Sequence, residues 1–227
     1  MKKVFRKSAV ALAAVGFVVL AGAREAKADI VLSAPVIASG SGCLTTACAA
    51  GVFEWQYLAG ISQDEAVSGT GAIPDAAPNG VLPSAAVKDF FTIYDFNGYI
   101  PGSAQMPTGW AFQSLPTGST PTNVIPNDNA AFPNLTWYYT GNSVVNGPAV
   151  LGVFSARTTF NSTTTGGNYV GSATNAGASP GTQDNKITQI TTPATTTTVV
   201  PEPASMLLLG TGLLGCVRIL RRKSAKS

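Results

Sequence analysis

Strand-length runs of apolar and aromatic residues, separated by turn-forming residues, dominate the middle of the chain. Four such runs cover residues 53–57, 88–96, 135–140 and 150–157. In the first run aromatic and polar residues alternate, whereas the second is apolar on both faces, as a central strand is. Clusters of Gly, Pro and Asn between the runs indicate turns. This pattern predicts a mainly β chain with a single antiparallel β-sandwich ectodomain over residues 29–190.

The first 28 residues have the pattern of a signal peptide. Lys and Arg are concentrated in residues 1–7, and residues 8–23 carry no charge and are rich in Ala and Val. Ala26 and Ala28 then supply the small residues of a cleavage site. We therefore expect a signal peptide over 1–28 and a mature chain that begins at Asp29.

The other end of the chain reads as a linker followed by a membrane anchor. Residues 191–200 are rich in Thr, Val and Pro, which favour an extended linker. Residues 206–220 form a mostly apolar run that is shorter than the about 20 residues of a full span, and basic residues follow it. The residues assigned here are the motif Pro201, Glu202 and Pro203, the anchor Met206, Leu207, Leu208, Leu209, Leu213 and Leu214, and the stop-transfer residues Arg221, Arg222 and Lys223. The basic cluster favours the cytoplasmic side of the membrane, so the preceding domain is expected outside.

Pro-Glu-Pro, a short Leu- and Gly-rich helix and a basic end, in this order over 201–227, resemble the PEP-CTERM sorting signal. The resemblance implies an exosortase as partner, a membrane-embedded transpeptidase that cuts near the Pro-Glu-Pro motif. It also implies a membrane tether before processing, in a Gram-negative bacterium that makes exopolysaccharide. The order of the central strands resembles a recurring ectodomain of such proteins, to which we can attach no activity. An ordinary C-terminal anchor that no enzyme cuts is the alternative.

Charge and composition exclude several functions of the central region. Ten acidic and three basic residues lie between Asp29 and Pro203, which gives this region a net charge of −7. Such a region cannot neutralise a row of phosphates, so we expect no nucleic-acid partner. The chain has no histidine, which excludes Ser-His-Asp catalysis and His-ligated zinc.

Two cysteines lie close together in the sequence Cys43-Leu-Thr-Thr-Ala-Cys48. Export would place them in an oxidising compartment, where a Cys43–Cys48 disulfide is expected. Two unpaired thiols are the alternative. We expect no metal site here, because two cysteines alone are too few ligands.

Three kinds of side chain could give the ectodomain a chemistry, and each also has an ordinary structural interpretation. Paired carboxylates could act on a sugar, loop oxygens in 95–98 and 127–129 could bind calcium, and exposed aromatic rings could stack on sugars. The acidic candidates are Asp64, Glu65, Asp89, Asp95 and Asp128, and the aromatic ones are Trp55, Trp110, Trp137, Tyr138 and Tyr139. The Ser- and Thr-rich segment 161–165 is expected to be a solvated loop.

These observations predict an exported, non-enzymatic surface or matrix protein with no catalytic residues and no cofactor. Its expected partners are the exosortase, the membrane through the C-terminal helix, and exopolysaccharide as a candidate ligand. A secreted carbohydrate-binding module would need exposed coplanar aromatic rings. A secreted hydrolase would need a cleft in which two carboxylates converge.

Overall fold

The computed structural model describes residues 29–74, 87–121, 123–177 and 179–194. The predicted signal peptide with Ala26 and Ala28, the Pro-Glu-Pro motif, the anchor and the basic end all lie outside these residues. Within them the chain forms eleven strands and one turn of 3₁₀ helix at Gly40–Gly42. The strands are β1 Ile30–Leu32, β2 Val36–Ser39, β3 Phe53–Ile61, β4 Glu65–Val67, β5 Phe90–Ile93, β6 Trp110–Leu115, β7 Asn134–Tyr139, β8 Val145–Asn146, β9 Ala149–Thr158, β10 Thr163–Asn175 and β11 Gln183–Pro193.

The strands form two antiparallel sheets. In the smaller sheet, β3 pairs with β9 along one edge and with β1 and β2 along the other. In the larger sheet, β6, β7, β5, β10 and β11 follow one another, and β4 pairs with β10 and β8. The prediction of a mainly β chain with antiparallel sheets is confirmed. No helix in the described residues is long and apolar enough to cross a membrane.

Aromatic rings from both sheets meet in one hydrophobic core. Phe154 of β9 packs edge-to-face against Phe91 of β5 and Trp110 of β6, with 4.9 Å between ring centroids in each pair. Phe91 in turn stacks on Trp137 at 5.2 Å. Burial of such rings is a large apolar contribution to stability, and these offset and edge-to-face arrangements are the favoured ones. The core therefore joins the sheets through β5, β6, β7 and β9.

The outer face of the larger sheet is also buried, under the segment that follows β6. Thr92 and Thr136 share a hydrogen bond of 2.8 Å on this face, and Thr92 also donates to the carbonyl of Ser119. The hydroxyl of Tyr94 donates to the same carbonyl at 2.8 Å. This cover explains why all four residues of β5 are buried, as its two-faced apolar sequence indicates.

Two expectations about polar segments are wrong. The Ser- and Thr-rich residues 163–165 begin β10 instead of forming a loop. The last strand continues through Pro193, so the first three residues assigned to the linker belong to β11. The two longest strands, β10 and β11, pair with each other, and their many Thr, Gly and Asn residues hide the alternation that marks other strands. Backbone pairing along this hairpin decides its structure.

Candidate functional site

The disulfide loop covers the outer face of the smaller sheet. Cys43 and Cys48 form the predicted disulfide, with 5.9 Å between their Cα atoms. The loop is fastened at two points, because Leu44 donates its backbone N–H to Glu54 and Arg157 donates to the carbonyl of Thr46. The cysteines and Glu54 are the one group of three potential metal ligands among the described residues, but the disulfide occupies both sulfurs.

Glu54 is a fully buried acid on the face of β3 opposite to the core aromatics. Its Oε2 accepts from Arg157 Nε at 3.2 Å, the one salt bridge between described residues. Its Oε1 accepts from the backbone of Leu44 at 3.1 Å, from Ser155 Oγ at 3.1 Å and from Gln56 Nε2 at 3.2 Å. With its charge compensated and both oxygens bonded, Glu54 stabilises the loop and is not free for chemistry.

The two loops proposed for calcium do lie next to each other, but their carboxylates bind the protein itself. Asp95 Oδ1 accepts the backbone N–H of Asn129 at 2.9 Å. Asp128 accepts from the Gly118 backbone at 3.0 Å and from Asn134 Nδ2 at 2.9 Å. Burial, and to a lesser extent the charge of Asp128, raise the pKa of Asp95. These hydrogen bonds fix the two loops against each other, which is a structural role for both carboxylates.

The tryptophans do not form a sugar-stacking surface. Trp55, Trp110 and Trp137 are all buried in the core, as is Tyr139. Tyr138 lies on the opposite face of β7, half-buried against Val87 and Phe90. Trp137 and Tyr139 thus face the core and Tyr138 faces away from it, and these rings are not exposed as the carbohydrate-binding alternative requires.

Asp89 is a second buried acid with many donors. Its Oδ2 accepts from the Ser68 backbone at 2.6 Å and from Thr174 Oγ1 at 2.8 Å, and its Oδ1 accepts from Gln183 at 3.4 Å. Burial raises the pKa of Asp89 to about 6, although these hydrogen bonds act in the opposite direction. The side chain joins the residue after β4 to β10 and β11, which is a structural role.

Three acids from separate parts of the chain form what we call the carboxyl cluster: Asp29, Glu65 and Asp184. They lie along one face of β10, because Asp29 covers Gly171, Asp184 pairs with Ala173, and Glu65 pairs with Asn175. Asp29 is 2% exposed and Glu65 is 0% exposed, and no hydrogen bond of good geometry reaches either carboxylate. The Ile30 backbone lies close to the carboxylate of Asp29, and the carboxyl of Asp184 lies close to that of Glu65. Asp64, the neighbour of Glu65, is exposed.

The electrostatics of the cluster are unfavourable for charged carboxylates. Burial raises the pKa of Glu65 to about 8, and the neighbouring acids Asp184, Asp29 and Asp89 add to this. Burial likewise raises the pKa of Asp29 to about 8, while a backbone hydrogen bond from Ile30 and the charge of the exposed Lys186 oppose the change. Within the described residues, no salt bridge reaches the cluster. Sequence reasoning noted Glu65 but did not connect it with Asp29 or Asp184, because only the β10 pairing brings them together.

Of the predicted site residues, the structure describes Cys43 and Cys48. The processing residues at both ends lie outside the described part. Residues 199–223 match the family described as the PEP-CTERM protein-sorting motif. No curated protein and no solved structure matches the chain.

The chain thus belongs to the class of β-rich proteins with antiparallel sheets, and it carries a PEP-CTERM sorting signal near its C-terminus. This signal implies export, an exosortase as the processing enzyme, and C-terminal membrane anchoring before processing.

Proposed function

We propose that this chain is a non-enzymatic surface or matrix protein, which an exosortase cuts near Pro201–Pro203 and releases or attaches in the extracellular polysaccharide layer. The match of residues 199–223 to the sorting motif carries the proposal. The signal peptide over 1–28 would start export, and the anchor at 206–220 would hold the chain until the cut.

Two properties of the ectodomain support this proposal. The disulfide suits an oxidising compartment outside the cytoplasm. Of the acids considered for catalysis, Asp95 and Asp128 accept hydrogen bonds from backbone N–H groups, Glu65 and Asp89 are buried, and Asp64 is exposed. Together with the absence of histidine, this favours a structural or binding role over hydrolysis.

Intact mass tests the sorting step. The protein is purified from cell envelope and from medium of the native host, with and without its exosortase. We expect a mature C-terminus near Pro201–Pro203 in the wild type and an uncut tail in the knockout. Glu202→Gln should leave the tail uncut, whereas the exposed Asp64→Asn should be cut normally. A tail that stays uncut in the wild type would make it a plain anchor and contradict the proposal.

A second measurement tests the non-enzymatic role. The processed protein is incubated with exopolysaccharide from the host, and new reducing ends are counted together with the amount of protein bound. We expect no new ends. Ends that appear with the wild type and not with heat-unfolded protein would identify a hydrolase.

A further inference from the structure

The carboxyl cluster contains buried acids that no positive side chain neutralises among the described residues. The buried carboxylates of Asp29 and Glu65 receive no hydrogen bond of good geometry, although the Ile30 backbone lies close to the first and the Asp184 carboxyl lies close to the second. Lys186 is exposed and forms no salt bridge with them within the described residues. Buried acids are normally paired or hydrogen-bonded, because an unpaired one costs several kcal/mol. The two acids can avoid this cost by staying protonated, or a positive group beside them can stabilise their charged forms.

The backbone nitrogen of Asp29 is one atom that could supply a positive charge near these acids. Its backbone N lies 3.4 Å from Ser62 Oγ, and the carbonyl of Ser62 accepts from the Glu65 backbone. Ser62 thus contacts both Asp29 and the turn that carries Glu65. The nitrogen of Asp29 is therefore anchored to the turn that carries Glu65, and it is the atom that the predicted cleavage would free.

We propose that the α-ammonium group created by cleavage between Ala28 and Asp29 is captured by the carboxyl cluster, where it pairs with the carboxylates of Glu65 and Asp29 and completes the ectodomain. The inference rests on the proposed export of the chain. Signal peptidase catalyses hydrolysis, in which one water is consumed, the Ala28–Asp29 amide bond breaks, Ala28 gains a carboxylate, and the new amine binds a proton. An α-amino group has an ordinary pKa of about 8 and is mostly charged at neutral pH.

A divalent cation fits the cluster less well. One ion requires ligand oxygens within about 4.8 Å of one another, twice a Ca–O distance of roughly 2.4 Å. Within the described residues, the one group of three such side chains is Cys43, Cys48 and Glu54, and it does not include these acids. An ammonium group needs only hydrogen-bonding contact with one or two carboxylates.

Two further details bear on the capture. A Cβ at Gly171 would overlap the carboxylate of Asp29, so only glycine lets this residue lie flat on β10. The raised pKa values of Asp29 and Glu65 apply to a chain in which the nitrogen of Asp29 is still an uncharged amide. Cleavage would add the missing charge, so the precursor is less stable than the mature protein. Such a difference would keep the domain loosely folded until it has been exported.

The test compares an authentic amino terminus with an extended one. The full chain is exported in a host without exosortase, and Gly-Ser is inserted between Ala28 and Asp29, so that cleavage leaves two extra residues. Each form is made with Glu65, with Glu65→Gln and with the exposed control Asp64→Asn. Proteins are purified in mild detergent, and thermal unfolding is followed by tryptophan fluorescence, since all three tryptophans lie in the core.

We expect the extension to lower Tm by about 6 to 12 °C with Glu65 and with the Asp64→Asn control, because a buried ion pair is broken. With Glu65→Gln the same extension should lower Tm by less than half as much. If the extension lowered Tm equally in the form with Glu65 and in the Glu65→Gln variant, it would act sterically, and the inference would be overturned. An extension that did not lower Tm at all would also overturn it. Recovery of the extended form by added calcium would also overturn it, in favour of a cation site.

Intact mass separates the two proposals. An amino terminus other than Asp29 would overturn the capture inference, whatever happens at the tail. Processing near Pro201–Pro203 in an exosortase-containing host tests the proposed sorting independently of Tm.

Discussion

Arg157→Met would remove the charge partner of a fully buried acid while keeping most of the aliphatic stem. Oε2 of Glu54 would lose its donor, and the Thr46 carbonyl would lose the guanidinium that fastens the disulfide loop. Breaking a buried pair by removing one partner costs about 3 to 5 kcal/mol. We expect the lower end, about 3 kcal/mol, because Oε1 keeps its bonds to Leu44, Gln56 and Ser155.

Urea unfolding followed by tryptophan fluorescence measures this loss without screening the charges, as guanidinium would. The matched control is the double variant Glu54→Gln/Arg157→Met, in which no buried charge remains and the bonds to Oε1 are kept. It should recover at least half of the lost free energy of unfolding. A loss below about 1 kcal/mol for Arg157→Met, or a double variant no more stable than the single one, would refute the assignment of a buried ion pair.

Three other predictions follow from the described residues. Replacing both Cys43 and Cys48 with Ser should lower the free energy of unfolding by about 2 kcal/mol, as expected for so short a loop; a loss that persists when the wild type is also reduced would contradict this. Phe91→Ala should cost about 3 to 5 kcal/mol in urea unfolding, since Phe91 is fully buried in the core, and a loss under 1 kcal/mol would contradict it. In a chain that keeps residues before Asp29, unfolded Asp29 and Glu65 release protons near pH 3.8 and 4.5, whereas the folded groups hold them up to about pH 8. Stability should therefore fall as pH rises through this range, in urea unfolding at a series of pH values, and a flat or rising profile would count against the raised values.

The sequence alone determined the features that reside in short, continuous stretches. The sorting signal is a linear order of Pro-Glu-Pro, apolar residues and basic residues, and the match to residues 199–223 confirms it. The aromatic strands around 53–57 and 135–140 were predictable because alternation with a period of two is itself the β geometry. Cys43 and Cys48 pair because five positions of chain hold them near each other.

Only the tertiary structure decided which polar residues are buried and what they contact. Glu54 alternates with core aromatics, and the sequence pattern does not show that the disulfide loop covers it and that Arg157, 103 positions away, neutralises it. In β10 and β11 the alternation of apolar and polar residues is weak. Backbone hydrogen bonds between these two strands hold the hairpin, whereas burial of apolar side chains marks the other strands. The carboxyl cluster forms because β1, β4 and β11 all lie next to β10. Hydrophobic periodicity does not predict which strands become neighbours, so the sequence pattern could not place Asp29, Glu65 and Asp184 together.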